Sequence, residues 1–201
     1  MQGKTHRQGG VLVALVAFQY MKSKGLLIPN TNEYVQLLVM YPFALWGSIA
    51  PDLDHGKQSI PARDPVSVGI HKILELTQAK HRSWQTHSIA VTGGILLMMY
   101  ALLKRFLMTH TTFAIEGVIL QLILYGIIFG VASHLLLDLI TPAGIYLTPG
   151  IKLKLAPNNS FFATGGTWEN IIRNIIVVLN IILMIYTILG VFGLDPLKFI
   201  K

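Results

Sequence analysis

With 201 residues, 53% of them hydrophobic, 12% charged and a mean hydropathy of +0.59, the chain carries about half the charge of an average soluble domain. Its length points to one domain, and the absence of cysteine excludes a disulfide framework and any thiolate metal site. The net charge of +7 does not indicate nucleic acid. Lys22, Lys24, Lys104, Arg105, Arg173, Lys198 and Lys201 stand at the edges of apolar runs, as basic residues do in membrane proteins. There is no Arg-rich helix with interleaved aromatics, so no nucleic-acid partner is expected.

In chain order, Gly3-Lys4-Thr5-His6 leads into the apolar run Val11–Met21, which reaches spanning length only by continuing through Lys22 to Ile28. No small-x-small cleavage pattern follows it, so it reads as a first span rather than a signal peptide. Tyr34–Ala50 is a second, slightly short span, closed by Pro51-Asp52-Leu53-Asp54-His55. Val66, Ile70, Ile73 and Leu74 at helical spacing predict an amphipathic helix over 66–80 at the membrane interface. His81-Arg82 and Thr86-His87-Ser88 precede a third span, Ser88–Leu103. Gly117–Leu137 and Asn174–Leu194 each hold ~20 residues free of charge, enough to cross a bilayer. Between them, residues 141–169 are rich in Gly, Pro, Thr and Asn and predict a cap over the site face, with alternation in Ile151–Leu155 suggesting a hairpin. The expected fold is all-α: a single integral-membrane domain over 1–201, a polytopic bundle of about five transmembrane helices with a metal site at one membrane face.

Five alternating spans put the N-terminus, the 51–86 connection and the 139–170 connection on one side. That side collects His6, then Asp52, Asp54 and His55, then His81 and His87, then His134 and Asp138. An ionisable group at membrane depth costs ~2.5–3.5 kcal/mol, so such a gathering calls for a function. His134 and Asp138, four residues apart, share one helix face. Imidazole and carboxylate together suit Zn, Mn, Fe or Co, and the set exceeds the three or four protein ligands of a single zinc, so two or more ions are expected. His71, on the amphipathic helix, and His110, in a turn on the opposite side, are expected to be background. Glu169 is expected to complement the dipole of the helix it begins, ahead of any ligand role.

Taken in order, Gly3-Lys4-Thr5-His6 with Gly9-Gly10, Pro51-Asp-Leu-Asp-His55, His81-Arg82, Thr86-His87-Ser88, and Ser133-His134-Leu-Leu-Leu-Asp138 with Thr141-Pro142 resemble the bacterial and archaeal membrane-bound metal-dependent hydrolase family, from Met1 to about Asn170. That family is similar to the zinc-dependent phospholipases C and single-strand nucleases, whose helical cores hold zinc through His-x-x-x-Asp or His-x-x-x-Glu pairs. His134 and Asp138 match that pair. Ser83-Trp84-Gln85 lengthens the family's spacing between its His-Arg and Thr-His-Ser elements, which favours His87 over His81. The resemblance implies a zinc phosphoesterase of the cell membrane acting on a phospholipid or another lipid-linked phosphate. His6, Asp52, His55, His87, His134 and Asp138 are the expected ligands, joined by His81. Asp54 is expected as a bridging ligand or a base toward the attacking water, and Arg82 as the clamp on a phosphate oxygen.

A metal-ion transporter or a metal-stabilised structural membrane protein is the alternative. Transporters place ligands near the bilayer midplane on broken helices; here the candidates gather at one end of the spans, although Pro42 and Gly47 could break the second. A phospho-histidine lipid phosphatase of the vanadium-haloperoxidase type needs Ser-Arg where Ile127 and Ile128 stand, and an intramembrane zinc protease needs His-Glu-x-x-His. Both are set aside. Lys and Arg are denser in the short loops opposite the site, so the site is expected to face outward.

Overall fold

In a computed structural model the chain is described over residues 1–55, 64–109, 114–159, 161 and 163–194; His110, Lys198 and Lys201 lie outside these. The described residues form α1 (Gly3–Ser23), α2 (Glu33–Gly47), a 3-10 turn (Ala50–Asp54), α3 (Pro65–Leu76), α4 (Ile89–Thr109), α5 (Ala114–Leu139), a hairpin of β1 (Ile145–Thr148) and β2 (Ile151–Leu153), and α6 (Thr167–Val191).

The axis is α5, which packs against α2, α1 and α4, while α6 lies on α1. Gly126, Gly130, His134 and Asp138 repeat every fourth residue along α5 and so form one stripe. A Cβ at Gly130 would stand 2.3 Å from the Ala44 carbonyl oxygen and 2.7 Å from Ser48 N, and one at Gly10 of α1 would meet Ser48 Cβ at 2.7 Å. The missing side chains let three helix backbones converge. The end of α2 is thereby brought against the lower half of the stripe, where His134 and Asp138 sit.

Three helices, α4, α5 and α6, are long and apolar enough to cross a membrane. The other two expected spans are different in kind. α2 has 15 residues with Pro42 inside, about 22 Å at helical rise against a hydrocarbon core of ~30 Å. α1 carries Gln8 and Gln19 along its length, and these are satisfied by α6. Asn180 donates to the carbonyl and Oε1 of Gln8, both at 3.0 Å, and Gln19 donates to Thr187 Oγ1 at 2.9 Å. α1 is therefore a polar-seamed helix built into the protein.

Its ends also differ from the sequence expectation. The helix does not run on to Ile28 but stops at Ser23, where Gly25 adopts a left-handed φ of 64° and the Leu26 amide closes onto the Met21 carbonyl at 2.8 Å. Its length is gained at the other end, from Gly3. α3 ends at Leu76 rather than 80, before the left-handed Gln78; Asp64 caps its start by accepting from Ser67 N at 2.9 Å, with Pro65 next in line. The hairpin pairs Ile145 with Leu153 and Tyr146 with Lys152. Ile145 packs on Val131 and Leu135 of α5, and the Tyr146 amide donates to the His87 carbonyl at 2.7 Å. The cap thus braces the His87 segment.

A candidate metal centre at the end of the bundle

Four separate stretches deliver side chains to one buried spot. α1 supplies His6. The 3-10 turn after α2 supplies Asp52 and Asp54; Pro51, its second residue, has the fixed φ that the start of a helical turn favours. The segment before α4 supplies His81, Arg82, Thr86 and His87, and the last turn of α5 supplies His134 and Asp138. His6, His87, His134 and Asp138 have no solvent exposure and Asp52 and Asp54 only 7% each, so none of the six is an ordinary surface polar residue.

The hydrogen bonds around the two central histidines determine their tautomers. His134 Nδ1 lies 2.7 Å from the Ser48 carbonyl, which can only accept, so Nδ1 carries the hydrogen. Thr86 Oγ1 donates to Asp54 Oδ2 at 2.5 Å and stands 2.9 Å from His87 Nδ1, so with its hydrogen spent it accepts from that nitrogen. In both neutral rings the lone pair is therefore on Nε2. These two Nε2 atoms face each other at 3.2 Å, an opposition that a proton on one ring or a cation shared by both would relieve.

Carboxylate oxygens complete the arrangement. His87 Nε2 is 3.5 Å from Asp52 Oδ1 and 3.5 Å from Asp138 Oδ2; His134 Nε2 is 3.7 Å and 3.6 Å from the same atoms. Tetrahedral ligands about 2.0–2.1 Å from zinc stand about 3.3–3.4 Å apart, so the set is sized for one such ion. Asp52 Oδ1, Asp138 Oδ2 and both nitrogens of His6 are buried without a hydrogen-bond partner, which is the expected state of ligand atoms described apart from their ion.

His6 reaches the other oxygen of Asp138, Oδ1, at 3.3 Å and stacks on His134 with ring centroids 3.7 Å apart. Met1 N at 2.5 Å and Arg82 Nη2 at 3.3 Å approach the same oxygen. Asp138 thus turns Oδ2 toward the two Nε2 atoms and Oδ1 toward His6, Met1 N and Arg82.

Asp54, expected as a bridging ligand or base, forms with Asp52 and His81 a further group that could hold an ion, and both its oxygens are also hydrogen-bonded. Its Oδ1 takes His81 Nδ1 at 3.0 Å, and its Oδ2 takes the Arg82 amide at 3.0 Å and the Thr86 hydroxyl. It stands behind His87, 3.6 Å from Nδ1, where a carboxylate orients a ligating imidazole from the far side. Arg82 holds a left-handed φ of 58°, a strained state for a non-glycine residue, so that its amide meets Asp54 while its guanidinium meets Asp138. His81, partly exposed, stacks on His55 at 3.8 Å, and these two sit at the rim.

Burial pushes the Asp52 carboxyl up, but the His87, His134 and His6 rings outweigh it and hold the group down to about 2. Asp54 is likewise held well below the carboxylate range by His81, His87 and Thr86 against its burial. Burial pushes the His87 ring down, yet Asp52 and Asp54 push harder and leave it raised. Above the centre opens a cavity of about 630 Å³ lined by Lys4, Arg7, Asp52, His55, His81 and Arg82 among others. Three cationic side chains at one mouth favour an anionic visitor.

His71, expected to be background, and Glu169, expected to serve the helix it begins, both hold the centre's supports in place. His71 on α3 is buried with Nδ1 2.7 Å from the Leu53 carbonyl, tying α3 to the 3-10 turn between the two aspartates. Glu169 serves a helix start, but chiefly that of α1: it accepts from Gln2 N and Thr5 Oγ1, both at 2.6 Å, and from Gly165 N at 2.6 Å. That grip sets the first turn of α1 and with it His6. Neither partner could be identified from sequence, since both bonds join positions far apart in the chain.

Residues 1–195 match the family described as YdjM inner membrane protein, and the chain belongs to that family. No curated protein and no solved structure matches it.

Proposed function

We propose that this member of the YdjM inner membrane protein family is a membrane-embedded metal-dependent hydrolase, a phosphoesterase acting on a phospholipid or another lipid-linked phosphate. The observation that supports this reading is the pair of Nε2 lone pairs on His87 and His134, opposed at 3.2 Å and flanked by Asp52 and Asp138. Those four residues would hold a zinc ion, or Mn, Fe or Co, and His6 with Asp138 Oδ1 a second. Such an ion supplies Lewis acidity and a bound water acidic enough to ionise near pH 7.

The residues around it have complementary tasks. Lys4, Arg7 and Arg82 line the cavity and attract phosphoryl oxygens, with the planar guanidinium of Arg82 suited to bind two at once. His81, held by Asp54 at the rim, is placed to hand a proton to the departing oxygen. Asp54 is the positioning residue for His81 and His87. With the polar-seamed α1 and the short α2 as further spans beside α4, α5 and α6, the bundle has five, and the cavity lies at headgroup level on the outward face. All the ligands come from one end of the helices rather than from midway, which favours hydrolysis over transport.

Metal content of detergent-purified wild type beside His134→Ala, with hydrolysis of bis(p-nitrophenyl) phosphate and of phosphatidylglycerol vesicles, tests the reading. Bound metal and phosphoester hydrolysis, both lost in the variant, are expected. Metal without hydrolysis of either probe would turn the centre into a structural one, and no metal after reloading would end both readings.

A further inference from the structure

A second cavity, about 530 Å³, lies between α4 and α5, within the size range of small-ligand sites. Its chemistry is the reverse of the first: no charged residue lines it. Both walls are helices long and apolar enough to cross a membrane, so the cleft opens toward hydrocarbon.

Its dimensions are informative. The α4 wall runs from Ile89 to Tyr100 and the α5 wall from Leu135 back to Tyr125, about 15–16 Å each at helical rise, which is about one leaflet of a ~30 Å core. The deep end is lined by Tyr100 and Tyr125, whose ring centroids are 6.5 Å apart, and beyond them α4 and α5 meet, a Cβ at Gly117 standing 2.3 Å from Leu107 Cδ2; the Tyr125 hydroxyl is held by Gln121 at 2.7 Å. The shallow end is beside the metal centre, since Ile89 is two residues past His87 and Leu135 follows His134. Between the ends the cleft is open: a Cβ at Gly93 would have nothing within 4 Å, and α4 buries none of its residues in the protein.

We propose that this cleft is the binding groove for one acyl chain of a membrane lipid from the leaflet next to the metal centre. A groove of one-leaflet length that ends where α4 and α5 meet fits a single hydrocarbon chain. The groove deepens the proposed function by naming where the lipid tail rests, and it rests on that reading only for the identity of the headgroup.

The test uses the full chain reconstituted in phosphatidylethanolamine and phosphatidylglycerol vesicles with a trace of phosphatidylethanolamine bearing a diazirine in one acyl chain. After photolysis, labelled peptides are mapped. The expected label on Leu97 and Ile128 exceeds that on the outward α6 residues Ile182 and Ile185 by about tenfold. Gly93→Phe from one wall, and Ala132→Phe from the other, abolish that excess while leaving the α6 label and the bound metal unchanged. Equal labelling of the groove and α6 in the wild type would overturn the proposal, as would an excess that survives both variants. A Leu97→Cys protein that forms disulfide-linked dimers in the membrane would overturn it in favour of helix packing. Groove labelling without phosphoester hydrolysis would strike the proposed function alone.

Discussion

The carbonyl of Ser48 accepts a hydrogen bond from His134 Nδ1 at 2.7 Å, so the end of α2 decides which nitrogen of an α5 histidine faces the metal centre. Ser48 follows the last turn of α2, where helix carbonyls have no partner of their own. The same orientation is imposed on His87 by Thr86 and, behind it, Asp54. Partners of this kind are worth about 10–100-fold in metal affinity.

Thr86→Val keeps the shape of the side chain and removes the hydroxyl between Asp54 and His87. Metal affinity, measured by competition with a chelator, should fall within that ~10–100-fold range while His134→Ala removes binding. An unchanged affinity in Thr86→Val would mean that His87 is oriented by something else.

Gly130 touches no ligand, yet Gly130→Val should lose metal. The new side chain must displace the Ala44 carbonyl and the Ser48 amide, and pushing α2 away withdraws both the Ser48 carbonyl and the turn that carries Asp52. Overpacking of this kind costs about 1–3 kcal/mol, readable as a lowered Tm alongside the metal loss. A variant with wild-type Tm and full metal would show that the helices do not need this close approach.

Glu169→Ala separates the two ion positions. It leaves the Gln2 and Gly165 amides and the Thr5 hydroxyl without their acceptor, at a cost of about 1–3 kcal/mol for the buried hydroxyl, and frees the first turn of α1. Metal stoichiometry should drop to the ion held by His87 and His134, with the His6 position lost. Retention of full stoichiometry would show that His6 is placed without Glu169.

Metal binding should weaken as pH falls. His87 is raised by its carboxylate neighbours, so in the metal-free protein its ring takes up a proton above the ordinary value of about 6.5, and that proton competes with the ion for Nε2. Calorimetric titration in buffers of different ionisation enthalpy should show proton release on binding, with affinity decreasing from pH ~8 to ~5. Binding without proton release near pH 7 would mean that His87 is not a ligand.

The long apolar helices follow from composition alone: α4, α5 and α6 lie where uninterrupted apolar runs leave few alternatives to crossing a bilayer. The gathering of His6, Asp52, Asp54, His87, His134 and Asp138 is expected from an alternation of five spans; the structure brings the six together and buries them, while three of the five expected spans are helices long and apolar enough to cross a membrane. The hairpin, too, was announced by the alternation in Ile151–Leu155.

Other features needed the assembled protein. Asp54 and Asp138 are both carboxylates near histidines in the sequence, and only packing puts one behind His87 with hydrogen bonds to both oxygens and the other between His6 and the Nε2 atoms of His87 and His134. The tautomer of His134 depends on a backbone carbonyl, a group every residue has and no sequence pattern marks. α1 reads as a weak span because its apolar run, Val11–Met21, is short, and only the assembled protein shows Gln8 and Gln19 partnered by α6. Hydrophobicity is a property of a segment and can be summed along the chain; a ligand's role depends on which atoms other segments bring within a few ångströms.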